Sequence, residues 1–345
     1  MLSASTKSLA VELLVELLKA YTPSGEEARA LGVLQRYAEE LGYEEVYVDE
    51  VGNFVAERGE GARVALVGHV DTVAGFLEVR EEGGEVWGRG AVDAKGPLAA
   101  MMVGGSLAEG VRVVFVASVG EEADSRGAKA LLGRLRAEHI IVGEPTNLDG
   151  IAIGCRGSCR LSLECRSPGG HAATPQADSA CRTLLEVLGE LSSHDGYTFA
   201  PVFLCCEKSG DNVLPKRARA EVNVRIPVGK SSEQLKELLK DLRCGWELSD
   251  CSEPFQTSPS NPVARSLARA LSSMQLKPRY TVKLGTSDMN ILGKITKNIA
   301  EYGPGRAELS HSEEERISLE EYFLGIEAYS RALTELGKLS VKHRE

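Results

Sequence analysis

Apolar residues recur along this chain in two rhythms. Leucines and valines at helical spacing predict a helix over Ser8–Ala20, and Tyr21-Thr22-Pro23-Ser24-Gly25 breaks it. A second helix opens at Glu26-Glu27, where acids suit the positive end of the helix dipole, and runs to about Leu41. Val46-Tyr47-Val48 and Asn53-Phe54-Val55-Ala56 read as a strand pair. Arg63-Val64-Ala65-Leu66-Val67 is a nearly continuous apolar run, the pattern of a strand covered on both faces. The alternation continues with Val86-Trp87, a helix from about Pro97 to Glu109, strand Arg112–Ser118, helix Ser125–Leu135 and strand His139–Val142. This β-α-β-α order predicts an α/β fold: a mostly parallel sheet flanked by helices.

From Gly157 the rhythm changes. Strand Arg160–Cys165, helix Ser179–Leu191, strands Val202–Cys206 and Ala218–Ile226, helix Ser231–Leu242 and an extended Trp246–Ser252 spell β-α-β-β-α-β. That is a split-βαβ α+β unit with an antiparallel sheet, inserted over residues 157–261. The large-domain pattern resumes with helix Val263–Met274, strand Asn298–Tyr302 and a closing helix from Ser318 to Leu336, so residues 1–156 and 262–345 form one discontinuous domain. The basic tail from Lys338 to Glu345 is expected to fray.

A length of 345 residues suits one large and one small domain, and 43% hydrophobic with 26% charged residues suits a soluble globule. A net charge of −10 without a Lys/Arg-rich block excludes an electrostatic nucleic-acid binder. No apolar stretch is long enough for a bilayer, and the N-terminus lacks a signal-peptide layout, so no membrane association and a cytoplasmic location are expected. The eight cysteines include no CxxC pair and mostly fall in apolar runs. They read as small buried hydrophobes, disulfides being the alternative if the source is a hyperthermophile.

The chemistry gathers where strands end. In an open α/β sheet the ligand crevice lies at the carboxyl ends of the strands. There Gly68-His69-Val70-Asp71-Thr72 places a histidine and an aspartate two residues apart, on one side of extended chain. Asp93 follows the glycine-rich turn Gly88-Arg89-Gly90, Glu121 and Glu122 follow the Ser118 strand, Glu144 follows Gly143, and His311 follows Gly303-Pro304-Gly305. Imidazole and carboxylate groups without thiolates suit Zn²⁺, Co²⁺ or Mn²⁺. Five such groups with one shared carboxylate give each of two metals three protein ligands. A satisfied core histidine and a solvated acidic pair are the plain alternatives for His69 and for Glu121-Glu122 taken singly.

Together these blocks, with Asp93-Ala94-Lys95-Gly96 and Gly170-His171-Ala172, resemble the acetylornithine deacetylase, succinyl-diaminopimelate desuccinylase and carboxypeptidase G family of two-zinc amidohydrolases over nearly the whole chain. The resemblance implies one zinc on His69, Asp93 and Glu144 and a second on Asp93, Glu122 and His311, with a cis peptide after Asp93. It implies Glu121 as the general base toward a water between the metals, and Asp71 as acceptor of the other ring N–H of His69. His171 is implied to help hold the oxyanion, reaching a neighbouring subunit, which makes the inserted unit a lid and dimerisation domain of a homodimer. Arg156, Asn212, Arg225, Gly285 and Thr286 stand where relatives contact substrate, although a solvated arginine on an edge strand equally explains Arg225. His139, His194 and His343 have no motif and read as structural or surface residues.

Within that family the Leu284-Gly285-Thr286-Ser287-Asp288-Met289-Asn290 block looks most like the hydrolase that frees lysine, or ornithine, from an acidic amino-group carrier protein in lysine and arginine biosynthesis. An acidic carrier requires a local basic rim, for which Arg156, Arg160, Lys216, Arg217, Arg219 and Arg225 are candidates. An acetylornithine deacetylase or exopeptidase is the alternative within the same chemistry, and a catalytically silent binding or assembly module the alternative outside it. Arg306 departs from the family pattern, where an acid often follows Gly303-Pro304-Gly305.

Overall fold

The computed structural model describes residues 2–174 and 177–341, the side chains of residues 340 and 341 excepted. Pro175 and His343 therefore lie outside the described residues. The chain divides into two compact units. The first holds residues up to Ile153, Thr257–Val282 and those from Ser287 onward, and the second holds Gly154–Gln256 and Lys283–Thr286.

The first unit begins with helix α1 (Ala4–Lys19), whose Ser3 cap accepts from the Thr6 N–H, and helix α2 (Leu31–Glu40), preceded by a 3₁₀ turn over Glu27–Ala30. Strands β1 (Glu45–Val48), β2 (Phe54–Arg58) and β3 (Ala62–His69) follow, then the short hairpin β4 (Arg80–Glu82) and β5 (Glu85–Trp87). Helix α3 (Lys95–Ser106) is buried from Lys95 to Gly105, as a helix apolar all round must be. A Cβ on its Gly104 would lie 2.7 Å from the Tyr329 Cβ and 2.8 Å from the Ile326 carbonyl, so only glycine lets the C-terminal helix pack this closely. Strand β6 (Val111–Ser118), helix α4 (Arg126–Leu131), strand β7 (His139–Gly143) and strand β8 (Gly150–Cys155) complete the first half.

The second unit carries strand β9 (Gly157–Arg166), helix α5 (Ala180–Ser192), strands β10 (Thr198–Cys206) and β11 (Arg217–Ile226), helix α6 (Ser232–Leu239), and strands β12 (Gly245–Ser252) and β13 (Phe255–Gln256). The chain then adds helix α7 (Pro262–Ser273), strand β14 (Arg279–Lys283), helix α8 (Met289–Leu292), strands β15 (Ile299–Tyr302) and β16 (Arg316–Ser318), and helix α9 (Leu319–Val341). Helix α9 continues past Leu336 through Lys338 to Val341, so that part of the tail is ordered helix where fraying was expected.

The main sheet runs β1-β2-β6-β3-β7-β15-β8. Its four central strands, β6, β3, β7 and β15, are parallel, while β1, β2 and β8 join antiparallel, so the sheet is mixed with a parallel core. Register aligns the strand ends. His69 faces Ser118, Val67 faces Val142, and Gly143 faces Tyr302. In the second unit the order β10-β11-β9-β12 is antiparallel throughout, and burial alternates along β9 and β11 as a sheet with one covered face requires.

The cysteines depart from the expectation of unpaired core residues. Cys159 pairs with Cys251, Cys165 with Cys244 and Cys181 with Cys206, while Cys155 and Cys205 carry no disulfide. The cause is register: β9 and β12 are adjacent antiparallel strands, which brings cysteines 92 and 79 residues apart in sequence face to face. Among the described residues, no helix is long and apolar enough to cross a membrane.

Candidate metal centre

Three of the four parallel strands, β3, β6 and β7, deliver groups at their carboxyl ends. His69 closes β3 and is 1% exposed. Glu121 and Glu122 follow β6 after the left-handed turn at Gly120 (φ +72°), and Glu144 follows β7, buried. Asp93 precedes α3, and the Asp93–Ala94 peptide is cis. His311 lies before β16 in a left-handed conformation (φ +63°) that non-glycine residues rarely adopt.

Asp93 stands between the two imidazoles. Its Oδ1 is 3.2 Å from His69 Nε2, and its Oδ2 is 3.3 Å from His311 Nε2. On the first side Glu144 Oε1 is 3.9 Å from His69 Nε2, and on the second Glu122 Oε1 is 2.7 Å from His311 Nε2. Ligand atoms within 4.8 Å of one another define three sets: His69-Asp93-Glu144, Asp93-Glu122-His311 and His69-Glu121-Glu122. Ligands held tetrahedrally about 2.1 Å from a zinc ion stand about 3.4 Å apart, and three of the four separations lie within about 0.5 Å of that value.

The electrostatics fit cations equally well. Burial opposes charge on His69, yet the hydrogen bond it donates to Asp93 and the charges of Glu121, Glu144 and Asp71 outweigh it and hold the ring pKa well above its usual range. Asp93 and Glu122 push His311 up to about 10. Carboxylates that stabilise positive charge this strongly at two ring nitrogens form a donor set that divalent cations neutralise.

Asp71 departs from its expected contact. The other ring nitrogen of His69, Nδ1, faces the Asp71 main-chain carbonyl at 2.9 Å, and the Asp71 carboxylate is 3.7 Å away. That carboxylate instead accepts from the Ser24 hydroxyl (2.6 Å) and from the backbone N–H groups of Glu121 and Glu122 (3.1 Å each), fixing the acidic turn. With Nδ1 donating to that carbonyl, Nε2 is the ring nitrogen left free to meet a cation beside Asp93 and Glu144.

The other expected site residues lie in the second unit. His171 is exposed, bridges to Val213, and accepts from the Ala173 N–H through Nδ1, while the Ala172 N–H donates to the Asn212 carbonyl. Arg156 donates to the Thr198 hydroxyl (3.2 Å), and Thr198 is the register partner of Arg225. Gly285 and Thr286 are half-buried in the 283–286 loop. Arg160, Arg217, Arg219 and Arg225 share the face of this sheet opposite its helices. The expected basic rim is nevertheless largely balanced: Arg160 faces Asp250, Arg217 faces Glu164, and Arg219 faces Glu207. Among the described residues, the side chains of Lys216 and Arg225 are the ones of that group not matched to an acidic or hydrogen-bonding side chain.

Sequence reasoning missed Glu315 and Asp288 as parts of the first unit's polar centre. Glu315 sits in the run Ser312-Glu313-Glu314-Glu315-Arg316, which reads as solvated, yet it is completely buried. Asp288, also buried, accepts from the Ser118 hydroxyl at 2.9 Å.

A model of the peptidase family M20/M25/M40 matches residues 65–335. A protein of Aeropyrum pernix provisionally named a LysW-lysine/LysW-ornithine hydrolase is 43% identical over 343 residues, covering 96% of this chain and 97% of that protein. The LysW-lysine/LysW-ornithine hydrolase of Saccharolobus islandicus is 36% identical over 342 residues, covering 97% of this chain and 98% of the relative. The fold is shared with a tripeptidase from Staphylococcus aureus (TM-score 0.82, 19% identity, 96% of this chain and 99% of that one). Aminopeptidase PepT from Bacillus cereus is similar to the same degree (TM-score 0.81, 18% identity, 96% and 98%). The family match across most of the sequence, joined to a cluster of two imidazoles and four carboxylates at the strand ends, makes this chain a metal-dependent hydrolase of peptidase family M20/M25/M40.

Proposed function

We propose that this chain hydrolyses the amide bond joining lysine, or ornithine, to an acidic amino-group carrier protein of the LysW type, a cytoplasmic step of lysine and arginine biosynthesis. The observation that carries the substrate is relatedness: proteins with that printed name are 36–43% identical along nearly their full length. The chemistry is supported by Asp93, each of whose carboxylate oxygens faces a different imidazole.

In this reading His69, Asp93 and Glu144 hold one zinc ion and Asp93, Glu122 and His311 the other, with cobalt or manganese as substitutes. When bound, the pair supplies Lewis-acid polarisation of the amide carbonyl and brings the pKa of water toward neutrality. Glu121 takes the proton from the attacking water and returns it to the nitrogen of the scissile amide, so that amide and water become carboxylate and free amine. Asp71 keeps Glu121 and Glu122 pointing apart through its bonds to their N–H groups. His171 donates to the oxyanion of the tetrahedral intermediate, and Arg156, Asn212, Arg225, Gly285 and Thr286 contact the polar groups of the substrate. Residues 157–261 act as lid and dimerisation domain. Support for a homodimer comes from the edge strand β10, where Val202, Phe203 and Leu204 are 69%, 50% and 53% exposed.

The test offers zinc-loaded protein three substrates: carrier bearing amide-linked lysine, N-acetylornithine and a dipeptide. Release of lysine from the carrier is the expected result. Cleavage of N-acetylornithine or the dipeptide alone removes the carrier assignment, and turnover of none leaves a binding module.

A further inference from the structure

Glu315, outside the ligand set, is a buried carboxylate with four hydrogen bonds. Its Oε1 accepts from three consecutive-turn amides, those of Gly90 (3.0 Å), Val92 (3.1 Å) and Asp93 (3.0 Å), and its Oε2 accepts from Arg89 Nη1 at 2.7 Å. Arg89, itself buried, also donates to the Ser312 carbonyl (Nη1, 3.0 Å) and the Gly75 carbonyl (Nε, 3.0 Å). The β16–β5 pairing sets these segments side by side, with Arg316 opposite Trp87 and the Gly88 N–H donating to the Glu315 carbonyl at 3.2 Å. One buried ion pair thus ties together the segment after His69, the turn before Asp93 and the loop after His311.

A buried carboxylate is tolerated only with its bonds made, and removing one partner costs far more than the pair contributes in net stability. Such a group is therefore a stiff fixture. Asp93 and His311 both hang from the segments it clamps, whereas His69 and Glu144 hang from the ends of β3 and β7. His311 also keeps its left-handed backbone in that clamped loop.

We infer that Glu315, together with Arg89, is a positioning residue that holds Asp93 against His311 and so builds the cation site of Asp93, Glu122 and His311, which draws two of its ligands from the clamped segments where the His69 site draws only Asp93. The inference rests on the two-cation reading above, but not on the identity of the substrate.

The experiment titrates chelator-treated full-length protein with Co²⁺, reading stoichiometry and affinity by calorimetry and visible absorption. Wild type is expected to bind two ions per chain. Glu315→Gln is expected to weaken the second affinity about 10- to 100-fold and the first, which shares only Asp93 with the clamped segments, by a much smaller factor. Arg89→Lys, gentler on folding, is expected to move the second affinity the same way by a smaller factor, and it decides alone if Glu315→Gln does not fold. Glu57→Gln serves as a control for general destabilisation. It disturbs a buried carboxylate bonded to Arg63 (2.6 Å) and Arg112 (3.0 Å), and should lower the melting temperature with both affinities intact. Unchanged affinities in the Glu315 and Arg89 variants, equal weakening of both sites, or the same loss in Glu57→Gln would each overturn the inference, as would a wild-type stoichiometry of one. Carrier cleavage is a separate readout: protein that binds two ions and cleaves nothing removes the proposed substrate and leaves the clamp to be judged by these affinities.

Discussion

Glu121 and Glu122 are adjacent in sequence and hold different positions because Asp71 fixes the turn they share. Glu122 reaches His311, while Glu121 lies within ligand range of His69. If Glu121 moves the proton, Glu121→Gln should retain near-normal metal content by elemental analysis while turnover falls about 10²- to 10⁴-fold. Loss of metal along with activity would instead make it a ligand. Asp288 gives a pH signature. Burial pushes its carboxyl up to about 6, from an ordinary 3.8, and its Oδ1 has no hydrogen-bond partner among the described residues. Because the folded value lies above the unfolded one, its contribution to stability is complete below about pH 4 and is lost as the pH rises through about 6. Asp288→Asn in chelator-treated protein should therefore raise the melting temperature near pH 8 and change it little below about pH 4. A lower melting temperature near pH 8 would mean that the ionised carboxylate is wanted there. His69, Asp93 and Glu144 were legible as candidates because each sits beside a glycine-marked turn after an apolar run, and His311 because it follows Gly303-Pro304-Gly305. Glu315 was not, since burial of one glutamate among three depends on which way the loop faces.

At the scale of elements, the apolar runs announced β3, β6 and β7, because a strand covered on both faces needs apolar residues at nearly every position. The strand Gly150–Cys155 and the strand Arg279–Lys283 were missed, the first followed closely by the next strand and the second a five-residue alternation with only two apolar positions, Tyr280 and Val282, both exposed. Disulfide pairing escaped for a related reason, since it depends on which strands become neighbours. Cys165–Cys244 ties β9 to the segment before β12 across 79 residues, and Cys159–Cys251 ties the same strands across 92. Cys244→Ser with Cys165→Ser should cost about 2–4 kcal/mol in denaturant unfolding of the second unit. Unfolding midpoints unaffected by either the substitutions or a strong reductant would show that these cross-links do not support the unit.

For the whole molecule, the proposed dimer places an exposed apolar edge strand against a second copy, an arrangement that satisfies its open backbone groups and covers Val202, Phe203 and Leu204. Phe203→Lys should shift sedimentation from dimer toward monomer with the melting of the first unit unchanged. A chain that sediments as a monomer from the outset would remove the dimer. The amino-acid sequence by itself determined the α/β class, the split-βαβ second unit and the imidazole and carboxylate candidates at strand ends and glycine-rich turns, because these follow from local periodicity and from turn residues visible along the chain. Only the tertiary structure decided that Asp93 faces both imidazoles, that the Asp71 carboxylate bonds to the acidic turn while its main-chain carbonyl meets the ring of His69, that most of the arginine face is charge-balanced, and that six cysteines pair. Each of these depends on register and on distances between segments far apart in the chain, which hydrophobic patterning leaves undetermined.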